Sequence, residues 1–378
     1  MKVLLVDSSK RSAYSSYVPL ALLKLSTKHK LAGDEVKWVK AGQAPLGKFD
    51  VIYFSTVFLF NSKKDVGYIR SYAKKYPDSK VKVGGVSATL MASYYKKYCP
   101  SNVEIIEGLQ PELDAYRPDY DIAGIDFSYG FTSRGCSNKC PWCVVPKVEG
   151  KQYTIKDWKQ AIDPRFKVFR GMDNNILSCS VGHIGEVFEY LSVNKILVDF
   201  NQAMDCQLLM KSEEIQKLFI KYKHIWLDIR FAWDSKRCDK YALATLDFFH
   251  EHKIKPKNDF IWYMLYDYTE APEIVFNRMR AINKHPYYSR IKPMRYKDLT
   301  TGGLLRNWGS IGDRWASWLG STITGIATRS TIDNWLFKHD YNTFNKRVDK
   351  LAMVYEKYNN KGVSKLRTEI LDGKHSHL

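Results

Sequence analysis

Phe131-Thr-Ser-Arg-Gly-Cys136-Ser-Asn-Lys-Cys140-Pro-Trp-Cys143 sets the reading of this chain. Three cysteines fall within eight residues, spaced C-x3-C-x2-C, after a short run that can end a strand and turn on Gly135. Three thiolates this close in one loop can hold three irons of a cubane [4Fe–4S] cluster and leave the fourth iron without a protein ligand. An open iron is a place for chemistry, whereas a cluster with four cysteine ligands usually only carries electrons. The competing reading is a structural zinc, which takes four ligands, commonly as two cysteine pairs. The sequence offers no second pair: Cys99, Cys179, Cys206 and Cys238 are scattered, and His183 is alone.

The loop resembles the signature of the radical S-adenosylmethionine (radical SAM) superfamily, C-x3-C-x-aromatic-C, with Trp142 in the aromatic position. The resemblance implies that Cys136, Cys140 and Cys143 are cluster ligands and that SAM chelates the open iron. It implies a reaction in which one electron cleaves SAM, and the resulting 5′-deoxyadenosyl radical takes hydrogen from a substrate. The cofactor carries the difficult step, while the protein positions it and excludes solvent. This division fits the lack of any Ser/His/Asp or paired-carboxylate constellation in the sequence.

Length and composition bound the rest. At 378 residues, with 45% hydrophobic and 14% aromatic residues, the chain can fill two domain cores. The opening run Lys2-Val-Leu-Leu-Val-Asp7 is too short for a signal peptide. Nothing approaches the roughly 18 uncharged apolar residues of a membrane span. Seven cysteines with a tight trio predict a reducing, cytoplasmic setting and no membrane partner. The net charge of +19 would draw polyanions, nucleic acid included. Its lysines are spread widely, however, as on an ordinary solvated basic surface.

Residues 1–115 read as an α/β unit. The apolar runs at Lys2–Asp7, Asp50–Ser55 and Lys80–Gly85 suit buried parallel strands, and Glu35–Val39 alternates like a strand. Helical segments fall between them, so a doubly wound, Rossmann-like domain is expected, with any ligand at the carboxyl ends of its strands. The order resembles the cobalamin-binding-type domain that precedes many radical SAM barrels. That family's cobalamin carriers place D-x-H-x-x-G after the first strands. Here Ser8-Ser9-Lys10 follows Asp7, and the region's sole histidine is His29. Ser55 and Gly84-Gly85 stand where such domains meet the cofactor, but a domain without cobalamin is the preferred reading.

Residues 116–300 repeat strand then helix, each strand ending in polar residues. The ends are Asp173-Asn174-Asn175, Asn201-Gln202, Asp234, and Tyr266-Asp267. Six such units fit a partial (β/α)6 TIM-type barrel, the radical SAM fold, whose active residues gather at the carboxyl ends of the strands. The resemblance implies SAM contacts from Asn174, Asn175, Asn201, Gln202 and Asp234, with Trp142 near adenine and Arg230 facing the methionine carboxylate. Tyr263 and Asp267 are candidates for meeting substrate. The G-G-E run that holds the SAM amino group in many relatives is replaced by Asp173-Asn174-Asn175. Residues 301–378, with Trp308, Trp315, Trp318 and Trp335, predict a mostly helical C-terminal extension.

The expected function is that of a radical SAM enzyme on an unidentified, anionic or nucleic-acid substrate, served by an electron donor of flavodoxin or ferredoxin type. Alternatives are a cobalamin-dependent radical methylase, a nucleic-acid-modifying enzyme, and a non-enzymatic module with zinc in the cysteine loop.

Overall fold

The computed structural model describes residues 1–9, 17–266, 268–270 and 272–296. The expected extension over 301–378 and the candidate Asp267 lie outside them. The chain divides into two compact units, the first running to Gln202 and the second starting at Ala203.

The first unit opens with β1 (Lys2–Asp7), α1 (Leu20–Leu31), β2 (Glu35–Lys40), β3 (Val51–Ser55), α2 (Ser62–Lys75), β4 (Lys80–Gly84), α3 (Val86–Leu90), α4 (Ala92–Tyr98) and β5 (Val103–Ile105). The five strands form one parallel sheet in the order β2-β1-β3-β4-β5. The apolar run of β1 has a simple cause: it is buried on both faces. Val3 and Leu5 pack with Leu22 of α1, while Leu4 and Val6 join the core that holds Ile69 and Tyr72 of α2 and Tyr95 of α4. Each such side chain stabilises the fold by about 1.5–3 kcal/mol when fully buried. On α2, Val66, Ile69 and Ala73 recur at helical spacing and are buried, and Lys74 and Lys75 close the last turn where cations oppose the helix dipole.

The same unit continues through β6 (Ser128–Gly130), β7 (Ser133–Arg134), α5 (Val145–Val148), β8 (Tyr153–Thr154), β9 (Val168–Gly171), α6 (Val181–Val193) and β10 (Leu197–Phe200). Strand β9 lies between β6 and β10, parallel to both. Strands β7 and β8 pair antiparallel, Ser133 with Thr154 and Arg134 with Tyr153. This pair closes a neck beneath the loop that carries the three cysteines.

The second unit holds β11 (Met204–Asp205), α7 (Cys206–Lys211), α8 (Glu213–Lys221), β12 (Trp226–Ala232), α9 (Asp239–Glu251), β13 (Phe260–Tyr266), α10 (Pro272–Lys284) and β14 (Arg290–Arg295). Its strands are parallel and adjacent in chain order. Phe260, Trp262, Met264 and Tyr266 alternate into the core along β13, and Phe231 stacks on Phe260 at 5.7 Å. Helix α8 starts as its sequence predicts: the Ser212 side chain accepts from the Ile215 N–H, with Glu213 and Glu214 in the first turn. The chain is thus α/β, built on parallel sheets. Among the described residues, no helix is long and apolar enough to cross a membrane.

Candidate functional site

The cysteine loop leaves β7 through Gly135, which sits at φ +70°. A Cβ here would lie 2.8 Å from the carbonyl carbon and oxygen of Lys151, so both the dihedral and the space demand glycine. The Gly135 N–H donates to Glu149 Oε2 at 2.9 Å. The same oxygen accepts from Asn174 Nδ2 at 2.7 Å, and Arg134 Nη1 reaches Glu149 Oε1 at 3.3 Å. Glu149 therefore ties the loop's entrance, its far side and the end of β9 together.

Arg134 extends this into a buried ionic chain. Its Nη2 and Nε grip Asp114 Oδ1 and Oδ2 at 3.0 and 3.2 Å, and Lys24 Nζ meets Asp114 Oδ1 at 2.6 Å. The guanidinium lies 3.5 Å above the Phe131 ring centroid. Burial drives Asp114 toward neutrality, but Arg134 and Lys24 outweigh it and hold the carboxyl below the usual range. Burial lowers Lys24 in turn, with Asp114 opposing. Two cations face two carboxylates, so the chain carries its own compensation.

Asp173, at the end of β9, holds the loop from the other side. Its Oδ1 accepts from the N–H and hydroxyl of Thr132, at 3.0 and 2.8 Å, and from those of Ser133, at 2.5 and 2.7 Å. With its one proton committed to Asp173, the Thr132 hydroxyl accepts from His183 Nε2–H at 3.0 Å. Burial lowers His183 and keeps its ring neutral. The run that replaces G-G-E thus begins with two loop anchors: Asp173 clasps Thr132 and Ser133, and Asn174, expected to contact SAM, clasps Glu149. Asn175 is buried, Asn201 half-buried and Gln202 exposed, all in this unit.

Cys136, Cys140, Trp142 and Cys143 are each half-buried, and Lys139 is exposed. The Asn138 N–H donates to Cys136 Sγ at 3.4 Å and the Val145 N–H to Cys143 Sγ at 3.5 Å. The Cys143 N–H closes a turn onto the Cys140 carbonyl at 3.0 Å. Among the described residues, no three His, Cys, Asp or Glu side chains converge on a metal-sized point. The donor set nevertheless suits an iron–sulfur cluster: three soft thiols on one anchored loop, with amide N–H groups aimed at sulfur as stabilises thiolates. Cys179 comes close to this group. Its Sγ accepts from Gln152 Nε2 at 3.1 Å, and burial pushes its thiol up to about 11, with the Asp173 and Cys136 charges adding to the rise.

In the second unit, Arg230 is already engaged. Its Nη1 donates to the Tyr263 hydroxyl at 3.1 Å and its Nη2 lies 3.5 Å from Asp228 Oδ2. Asp234 accepts the Leu265 N–H at 2.9 Å, and burial raises its carboxyl to about 7.

Of the other cysteines in the second unit, Cys206 donates its S–H to the Ala232 carbonyl at 3.8 Å, and Cys238 Sγ meets Gln207 Nε2 and the Ser235 hydroxyl, each at 3.8 Å. Glu149 and Asp114 escaped notice in the sequence, because no local pattern marks a carboxylate that anchors a loop.

Around the five-stranded sheet, described residues expected near a cofactor are engaged with the protein itself. Gly85, at φ +109°, has its Cβ space filled by the Thr56 carbonyl oxygen at 2.2 Å, so its small size serves a chain crossing. His29 is committed on both nitrogens, Nδ1 to Asp34 at 2.7 Å and Nε2 to the Tyr53 hydroxyl at 3.2 Å. No family model and no curated protein matches the chain.

Proposed function

We propose that the chain is a radical SAM enzyme, with a Rossmann-like N-terminal domain and a partial (β/α)6 barrel. The observation that carries this reading is the loop itself. Three thiols spaced C-x3-C-x2-C stand on a segment held by Gly135, Glu149, Arg134 and Asp173, and two of the sulfurs accept backbone N–H groups. When bound, a [4Fe–4S] cluster supplies the electron that cleaves SAM and so produces the 5′-deoxyadenosyl radical that takes hydrogen from substrate.

The chain's own part is positioning. Cys136, Cys140 and Cys143 hold the metal, and Trp142 shields it from solvent. The Asp173 and Glu149 anchors fix the loop so that the ligand geometry does not depend on flexible side chains. Asn175, Asn201 and Gln202 are the polar groups that the first unit offers to SAM. Arg230 carries Asp228 as its resting partner, which a carboxylate ligand could exchange for its own. The electron would come from a flavodoxin- or ferredoxin-type donor in a reducing cytoplasm, and the +19 charge favours an anionic substrate.

Anaerobic iron–sulfide reconstitution, then reduction in the presence of SAM, tests the reading. The expected product is 5′-deoxyadenosine, lost in Cys140→Ala. Zinc without iron after reconstitution, or undiminished product from Cys140→Ala, would refute it.

A further inference from the structure

Strands β12, β13 and β14 present two unlike faces. Side chains alternate along a strand, and on one face Phe231, Phe260 and Trp262 are buried in an aromatic core with Phe219 and Phe249. The other face carries Arg230 of β12, Tyr263 of β13 and Lys292 of β14. Tyr263 stands level with Lys292 on one side and, on the other, with Ala232, two residues beyond Arg230. A parallel sheet is ordinarily apolar on both faces, so a polar trio across three adjacent strands calls for a reason.

The trio meets at one phenol. Arg230 Nη1 donates to the Tyr263 hydroxyl at 3.1 Å, and Lys292 Nζ lies 5.0 Å from the Tyr263 ring centroid. A phenol that accepts one hydrogen bond can still donate its own O–H, so guanidinium, phenol and ammonium can all donate toward one point. A cation–π contact alone would need only the ring; the hydroxyl tied to Arg230 adds a donor that such a contact does not use. The nearby acids have further duties. Asp228, 3.5 Å from Arg230 Nη2, accepts the Asp259 N–H on Oδ1 at 3.1 Å, and Asp259 Oδ2 pairs with Arg290 at 2.5 Å. The Arg230 side chain is only 11% exposed and so is held in place, whereas Lys292 is exposed, and a ligand can reach the trio from its side.

We propose that Arg230, Tyr263 and Lys292 bind the phosphate of a phosphate-ester ligand. A carboxylate can satisfy the fork of Arg230 by itself. A terminal phosphate presents three oxygens in different directions and close to two negative charges, which match two cations and an O–H carried on three strands. Neighbouring strands lie roughly 4.8 Å apart, so the three donors approach such a group from separate bases. The +19 charge of the chain speeds the capture of this kind of ligand. No residue of the cysteine loop takes part, so the site stands apart from the metal. Only the naming of this ligand as the substrate rests on the function proposed above.

The test is equilibrium dialysis of radiolabelled inorganic phosphate against the full chain as purified, at constant ionic strength. No iron is needed, so the outcome does not depend on whether SAM is cleaved. The wild type is expected to bind phosphate saturably, and Tyr263→Phe and Lys292→Ala each to weaken the affinity about tenfold. Arg230→Lys, which keeps the charge but loses the fork, is expected to weaken it as well. Lys63→Ala, which removes an exposed lysine from α2, is expected to leave it unchanged. Uptake that does not saturate, equal weakening by Lys63→Ala and Lys292→Ala, or unchanged affinity in Tyr263→Phe overturns the proposal. Displacement of phosphate by an equal concentration of acetate overturns it too. Lys292 is exposed and Tyr263→Phe keeps the ring, so these two variants decide even where the Arg230 variant does not fold.

Discussion

Gly135 stands so close to Lys151 that one added carbon would lie 2.8 Å from the Lys151 carbonyl. The contact sets where the cysteine loop leaves its neck, since the next residue is Cys136. Gly135→Ala must either move Lys151 or abandon φ +70°, at a cost on the order of 2 kcal/mol. Urea unfolding should show that loss, and anaerobic reconstitution should show reduced iron per chain. Wild-type iron content in a folded Gly135→Ala protein would separate the turn from the metal site.

Arg134 compensates the buried carboxylate of Asp114 and the half-buried one of Glu149. Arg134→Met removes the cation and keeps most of the volume, leaving Asp114 with Lys24 alone and taking the ion pair from Glu149. A loss on the order of 3 kcal/mol in denaturant unfolding is expected, because breaking a buried pair strands a charge. A loss under about 1 kcal/mol would mean that water or relaxation already screens the network.

Asp65 gives a pH signature. It is 1% exposed, its Oδ2 has no hydrogen-bond partner among the described residues, and burial raises it from 3.8 to about 7. The folded state therefore binds this proton more tightly than the unfolded chain does. Its contribution is full below pH 3.8 and is lost as pH rises through about 7. The part attributable to Asp65 is on the order of 4 kcal/mol between those limits. In Asp65→Asn this slope should vanish, so that the variant gains on the wild type at about pH 8 and not at about pH 4. Equal gaps between the two melting temperatures at both pH values would sink the assignment.

Cys179 tests which thiols belong to the metal. Burial keeps it protonated, and Gln152 already donates to its sulfur. Cys179→Ala is expected to load iron as the wild type does, while Cys136→Ala, Cys140→Ala and Cys143→Ala each lose most of it. Iron loss in Cys179→Ala equal to theirs would make it a fourth ligand and close the open position.

The strand–helix alternation was legible because β1, β3 and β10 are largely buried on both faces and β13 is apolar even on its half-buried face, so each reads as an apolar run; all four fall where those runs predict. Strand β5 was not, since Val103–Ile105 is three residues long and carries a glutamate. The β7–β8 pair gave no signal either: Ser133, Arg134, Tyr153 and Thr154 show no alternation, and their pairing is set by contacts across the loop. The cysteine trio could be read locally because its ligands are adjacent in sequence. The Arg134–Asp114 pair could not, because chain folding alone makes them neighbours.

The neck formed by Ser133–Arg134 and Tyr153–Thr154 has a consequence for how such a chain can change. Everything between its two sides is anchored at the base by Glu149, Arg134 and Asp173 and owes little to the length of the excursion. Closing a flexible loop costs only about 0.6 kcal/mol for each doubling of its length. Insertions beyond Cys143 should therefore be cheap, and the segment from Ser133 to Thr154 behaves as a cartridge. It could be exchanged between scaffolds that supply an aspartate where Asp173 stands and an acid–base pair where Asp114 meets Lys24.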